Sequence, residues 1–384
     1  MKKLIIISAA VSAVLGAAQS AHAIDLKAGD WTVSIGGIVN AYYTQISCSG
    51  DAVGGLALGS AALGCGGKSN RTTIGNGLLP SGLITSVKSR QGDYDVSAKI
   101  GIMTATASDS AIGNNSNVDV RQGYFTFGNA EMGTVKLGRD YGLFGANAIL
   151  NDMTLIGSGA PVRATQANRV TLGHIGAGYS YLGTYGQIAY SSSVANVMKI
   201  DLALISPVSN GPLGAGYDSG SSPQVQGRIG VDQAGLKAWL GAKGQKFTGS
   251  SAATPDFTMR GIELGASYTA GAFGVLANVQ TGSGLGMLSD GDQGDVKSTN
   301  YFAQGTYKLG EQVKLGLNYG MNKNRDNTAA TGGLESNSNL TGGVYFAITP
   351  SITLSAEIGQ TRSKGVNGNT ARMNGGSFGG IFFF

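Results

Sequence analysis

From residue 80 onward the chain falls into segments of about ten residues in which apolar and polar side chains alternate, separated in turn by very short and by long connections. Val96, Ala98, Ile100 and Ile102 alternate with Asp95, Ser97, Lys99 and Gly101; Val313, Leu315, Leu317 and Tyr319 alternate with Lys314, Gly316 and Asn318. Side chains of an extended strand point to opposite faces in turn, so each segment has one greasy and one polar face. Leu340, Gly342, Val344, Phe346 and Ile348 run into Thr349-Pro350-Ser351, and Ile352, Leu354, Ala356 and Ile358 run out, a hairpin with one apolar face. Seven short turns can be placed, at 92–93, 128–133, 194–197, 232–235, 270–272, 309–312 and 349–351. With both chain ends on that side, seven turns require sixteen strands and eight long connections. Eight are found, near 48–81, 106–117, 142–183, 209–223, 248–258, 284–297, 323–336 and 364–370.

Amphipathic strands admit two closed solutions. A soluble barrel turns the greasy face inward, whereas a membrane barrel turns it to lipid and keeps the polar face inside. Tyr94, Tyr268, Phe273 and Tyr307 each border a short turn with the parity of the apolar face, as an aromatic girdle at one membrane interface requires. Near the C-terminus Phe378, Gly380, Phe382 and Phe384 share one uninterrupted apolar face. At the other end, Met1-Lys2-Lys3, the apolar stretch from Leu4 to Ala18 and Ala21-His22-Ala23 follow the order of a secretory signal peptide. Residues 1–23 are therefore read as a leader, and 24–384, 384 − 23 = 361 residues, as one transmembrane β-barrel domain. After the leader no run of 18 apolar residues occurs, which excludes a helical span and leaves a closed barrel as the way to satisfy the backbone in lipid. The soluble alternative explains the alternation but not the girdle, the tail or the leader.

Glycine supplies 64 of 384 residues, yet there is no G-X-Y period and only seven prolines, so collagen is excluded. Long glycine-rich disorder would carry few aromatics, and 15 Tyr and 12 Phe are spread throughout. Without the leader, 25 Lys and Arg against 22 Asp and Glu leave +3, too little to argue for a nucleic-acid partner. Cys48 and Cys65 read as a disulfide pinning a loop of an exported protein, with free thiols as the alternative. His174 is the single histidine beyond the leader, no Ser or Cys elbow accompanies it, and no two-His motif is possible. Neither catalysis, a metal nor a cofactor is expected. Gly214-x-Gly216 and Gly282-x-Gly284 are ordinary at this glycine content and open no helix.

Val120-Arg121-Gln122-Gly123-Tyr124-Phe125-Thr126-Phe127-Gly128, followed by Met132-Gly133-Thr134-Val135-Lys136-Leu137-Gly138-Arg139-Asp140-Tyr141, resembles the fourth and fifth strands of the general trimeric porins of Gram-negative bacteria. The likeness lies in an Arg-Gln start, a short glycine turn and a Leu-Gly-Arg end, and extends to Gln187 through Ser193 and to the C-terminal row. The resemblance implies an antiparallel all-β barrel in the outer membrane, reached through the periplasm. Its long third loop, here 142–183, would fold inward and constrict the pore. It further implies a homotrimer, contacts with outer-membrane lipid and lipopolysaccharide, and a barrel-assembly machinery that reads Phe378, Phe382 and Phe384 as an assembly signal. The function implied is a water-filled channel for passive diffusion of small hydrophilic solutes and ions. A substrate-specific channel, a structural or adhesive barrel and, more distantly, a barrel enzyme are the alternatives.

Lumen parity falls on Lys88, Arg90, Lys99, Arg228, Lys237, Lys243 and Lys314, opposed by Asp95, Asp201, Asp232, Glu263 and Glu357. A charge on the lipid face would cost roughly 2–4 kcal/mol at the midplane, so these belong in the water-filled interior. Arg121 and Arg139 share parity with apolar neighbours, which leaves three placements: above the lipid band, after a bulge, or at a subunit contact. Many such porins have an acidic third loop, whereas residues 142–183 hold one carboxylate, Asp152, beside Arg163, Arg169 and His174. The candidate pore-lining set is Lys88, Arg90, Lys99, Arg121, Asp152, Arg163, Arg169, Asp201, Arg228, Glu263, Lys314 and Glu357. A neutral or weakly anion-preferring channel is expected.

Overall fold

The computed structural model describes residues 23–105, 118–159, 172–195, 197–210, 216–251, 254–328 and 333–384. Sixteen long strands make one closed antiparallel sheet: β1 (Trp31–Gly50), β2 (Ser81–Gln91), β3 (Tyr94–Thr104), β4 (Val118–Asn129), β5 (Gly133–Tyr141), β6 (Thr184–Val194), β7 (Met198–Ile205), β8 (Gln224–Gln233), β9 (Leu236–Gly249), β10 (Phe257–Ala270), β11 (Phe273–Ser283), β12 (Lys297–Leu309), β13 (Val313–Asn324), β14 (Leu334–Ala347), β15 (Ile352–Gly365) and β16 (Thr370–Phe383). Each pairs with its neighbour in the chain, and β16 returns to β1, with Phe378 opposite Tyr43 and Phe382 opposite Val39. Three short strands are appended. Ile24–Ala28 hairpins onto the start of β1, Asn70–Gly75 runs along its second half, and Tyr217–Ser219 lies on the end of β9. Among the described residues no helix is long and apolar enough to cross a membrane.

The short turns and long connections fall on opposite ends, as the alternation requires. Gly92 and Gly271 sit at tight turns with φ of +56° and +57°, a region that side-chain-bearing residues enter at a cost. The outer face is apolar and exposed, with Ile358 and Leu264 among its most open residues. Tyr94, Tyr268, Phe273 and Tyr307 are exposed beside the short turns, and the Phe273 and Tyr307 rings lie 4.7 Å apart. Phe378 and Phe382 also face outward, the former against Tyr43 at 5.2 Å.

The lumen is not uniformly polar. Leu58 from the first long connection and Ala146, Ile149, Leu155, Ile175 and Tyr179 from the third form an apolar cluster with Leu276, Phe302 and Met373 of the barrel wall. A disulfide joins Cys48 on β1 to Cys65 beyond the one-turn helix Ala61–Gly64 and ties the first connection to this cluster. Gly320 makes close packing possible on β13. A Cβ there would lie 2.1 Å from the carbonyl oxygen of Ala177, so the loop rests against bare backbone.

Candidate functional site

The third connection opens with the helix Ala146–Asn151 and the 3-10 turn Met153–Ile156. The N–H groups of Leu143 and Phe144 donate to Gln226 Oε1 of β8 at 2.7 and 3.0 Å, and later backbone donors meet acceptors on the wall from β10 to β15. The N–H of Gly145 donates to Glu263 Oε2 at 2.8 Å, and that of Met153 to Gln304 Oε1 at 2.6 Å. The N–H groups of Ser158 and Gly159 both donate to Glu357 Oε2, which also accepts from Ser158 Oγ, while Tyr345 Oη donates to Oε1 at 2.6 Å. Gly157 permits this approach, since a Cβ there would meet Glu357 Oε1 at 2.0 Å. Buried carboxylates require such partners, and here the loop backbone supplies them.

Asp152 is the hub within the loop. It caps the 3-10 turn by accepting from the Thr154 N–H at 2.9 Å, and accepts from Tyr179 Oη at 2.6 Å and from Asn318 Nδ2 of β13 at 3.0 Å. His174 Nδ1 lies 3.1 Å from Oδ2, the oxygen that also accepts from Tyr179. Burial alone would push the Asp152 carboxyl up, but His174 and the Tyr179 and Thr154 donors outweigh it and hold it below the usual carboxylate range.

The wall from β3 to β8 is arranged differently. A cavity of about 340 Å³ runs along it, from Asp232 and Lys237 near the short-turn rim to Tyr181 in the third connection. Lys99, Arg121, Lys136, Lys199 and Arg228 line it, with Asp140 and Asp201 interspersed. Five cations against two carboxylates leave +3, and the Asp232–Lys237 pair at the rim adds nothing. Arg228 holds Asp201 at 2.6 Å and donates to Asn147 of the loop helix at 3.3 Å. Lys136 pairs with Asp140, which also accepts from Gln122 at 2.9 Å. Among the described residues Lys99 has no carboxylate within ion-pair distance.

Arg121 reaches this lumen through a bulge. Gly101 pairs with Gln122 but Ile102 with Val120, so Arg121 drops out of the ladder, turns inward and is buried, bonded to Asp119 at 2.8 Å. Arg139 has no such slip. It stays on the outer face, donating to the Val120 carbonyl at 2.9 Å and to Thr184 Oγ1 at 3.1 Å.

Of the sequence-derived candidates, Lys99, Arg121, Asp201 and Arg228 line the cavity together. Asp152, Glu263 and Glu357 do not. Glu263 and Glu357 are buried because the loop covers the wall to which parity assigned them, and Asp152 is buried within the loop itself. Lys88 and Arg90 sit exposed near the short-turn end of β2, Arg90 paired with Asp95 at 3.0 Å, away from the cavity. Lys314 lines a separate, smaller cavity with Asp152 and Gln304, its ammonium 4.9 Å from the centre of the Tyr345 ring. Arg163 and Arg169 lie outside the described residues. Lys136, Asp140 and Lys199 were missed, although the same period of two marks them: each alternates with outward Leu137, Arg139, Met198 or Ile200.

Residues 8–366 match the model of a protein family described as Gram-negative porin. No curated protein sequence is detectably similar. Solved structures share the fold. The outer membrane channel DcaP of Acinetobacter baumannii superposes with a TM-score of 0.68 at 16% identity, covering 94% of this chain and 99% of its own. An anion-selective porin from Comamonas acidovorans gives 0.65 at 17% identity over 92% and 100%. OmpF of Salmonella typhi, in complex with daunomycin, gives 0.63 at 12% identity over 94% and 100%.

Proposed function

Because the chain belongs to the Gram-negative porin family and is an outer-membrane channel for passive diffusion of solutes, we propose that its passage runs between the third loop and the β3–β8 wall and favours small anions. One observation carries this reading. Two carboxylates that could balance the lumen, Glu263 and Glu357, are buried beneath the loop and Asp152 is buried within it, while Lys99, Arg121, Lys136, Lys199 and Arg228 line the main cavity. Charges in a narrow, partly desolvated passage are screened less than surface charges, so an excess of +3 is enough to bias ion traffic.

In this reading the loop 142–183 narrows the pore, three copies assemble through their outer faces, residues 1–23 are removed on export, and Phe378, Phe382 and Phe384 serve assembly by the barrel machinery amid lipid and lipopolysaccharide. No catalytic role is assigned to it. The test is the reversal potential of the purified channel in a planar bilayer under a KCl gradient. A potential toward the chloride equilibrium value supports the proposal; one toward the potassium value refutes it.

A further inference from the structure

The cavity carries hydrocarbon as well as charge. Ile38 on β1, Ile84 on β2 and Met103 on β3 occupy lumen-facing positions, where a water-filled barrel ordinarily places polar residues. Leu79, just before β2, and Leu150, on the helix Ala146–Asn151, join them on the same cavity. Leu79, Ile84 and Leu150 are only partly buried, so they present apolar surface to whatever passes. Ions and sugars gain nothing from such a strip. A solute that is anionic at one end and apolar along its body gains on both sides, its carboxylate against Lys99, Arg121 and Lys136, its body against the hydrocarbon.

We propose that this channel prefers amphipathic organic anions, carboxylates bearing an alkyl or aromatic body, over hydrophilic anions of the same size. The strip and the cationic side chains line one continuous cavity, so a single molecule can use both without leaving its path. Attraction of this kind promotes transport only while it stays weak enough for release, and partial exposure of three short apolar side chains keeps it so. The inference rests on the anion preference proposed above and names the solute class that profits from it.

The test uses two probes of matched shape, cyclohexanecarboxylate and glucuronate, each a six-membered ring with one carboxylate. The full-length channel is reconstituted in a planar bilayer, characterised first in KCl, and then placed under bi-ionic conditions against chloride. The expected result is a permeability for cyclohexanecarboxylate about fivefold above that for glucuronate, from burial of part of one apolar ring face. Leu150→Asn, and independently Ile84→Thr, should each lower that ratio in channels that still conduct chloride. Anion selectivity in KCl with equal permeability of the two carboxylates overturns this inference and leaves the anion reading standing. Cation selectivity in KCl overturns both. A ratio that both variants leave at its original value also overturns it, because the preference would then arise elsewhere in the channel.

Discussion

The walls β3–β8 and β10–β15 are built by the same rule and end with opposite roles. Both alternate apolar-out and polar-in, and both carry charges at lumen positions. On β10–β15 the lumen holds the carboxylates Glu263 and Glu357 beside Lys314, and N–H groups of the third loop donate to both carboxylates. On β3–β8 the charges are mainly cationic and line the cavity, and among the described residues the loop backbone reaches this wall only at the neutral Gln226 of β8, which accepts from the N–H groups of Leu143 and Phe144. Carboxylates therefore take a share of the loop's donors and are buried by it, and that burial changes which sign the solute meets. Parity places a residue in a lumen; complementarity with the loop determines whether that residue touches water.

The largest effect should come from erasing this distinction on the acidic side. Glu263→Ala with Glu357→Ala strips the loop of its two carboxylate anchors, and each N–H left unpaired costs about 1–3 kcal/mol. Single-channel conductance should rise at least about twofold as the loop leaves the wall; unchanged conductance would mean that other contacts hold it. Next is the basic side: Lys99→Glu with Arg228→Glu moves the cavity from +3 to +3 − 4 = −1, and the reversal potential in KCl should change sign. Gly320→Val should act more weakly than the carboxylate pair. Overpacking against Ala177 costs about 1–3 kcal/mol at one point of contact, so conductance should become noisier before it becomes larger.

The smallest effect concerns the connection 284–296, which bounds the two regions by burying an ion pair between Asp290 and Lys243 of β9. Asp292 beside it accepts from the N–H groups of Met287, Leu288 and Ser289, yet burial raises its carboxyl from 3.8 to about 6. Raised in the folded state, this group contributes stability that is complete below pH 3.8 and is lost as pH climbs through about 6. Hydrogen exchange of residues 284–296 should therefore be slower at pH 5 than at pH 7 once corrected for intrinsic rates. Asp292→Asn should flatten that difference.

Sequence periodicity was sufficient for the barrel because lipid imposes one pattern on every strand, and the girdle residues Phe273 and Tyr307 obey it without exception. The site was legible only in part. Arg121 could not be placed, since a one-residue bulge reverses its facing and leaves no mark in composition. Glu263 and Glu357 were assigned the correct face, but burial by a segment more than 100 residues away in the chain is a tertiary event that a period of two cannot register. Lys136 was readable, since it alternates with Val135 and Leu137 along β5.

The pairing of β16 with β1 sets a condition on how the molecule is made. Phe378 meets Tyr43 across 378 − 43 = 335 residues, while every other seam joins neighbours in the chain. Local hairpins form at little entropic cost, but this one contact must close almost the whole polymer into a ring. Until it does, β1 and β16 are both open edges that invite pairing with a foreign strand. A chain of this topology thus has a vulnerable intermediate by construction, with two edges that need cover until the ring closes.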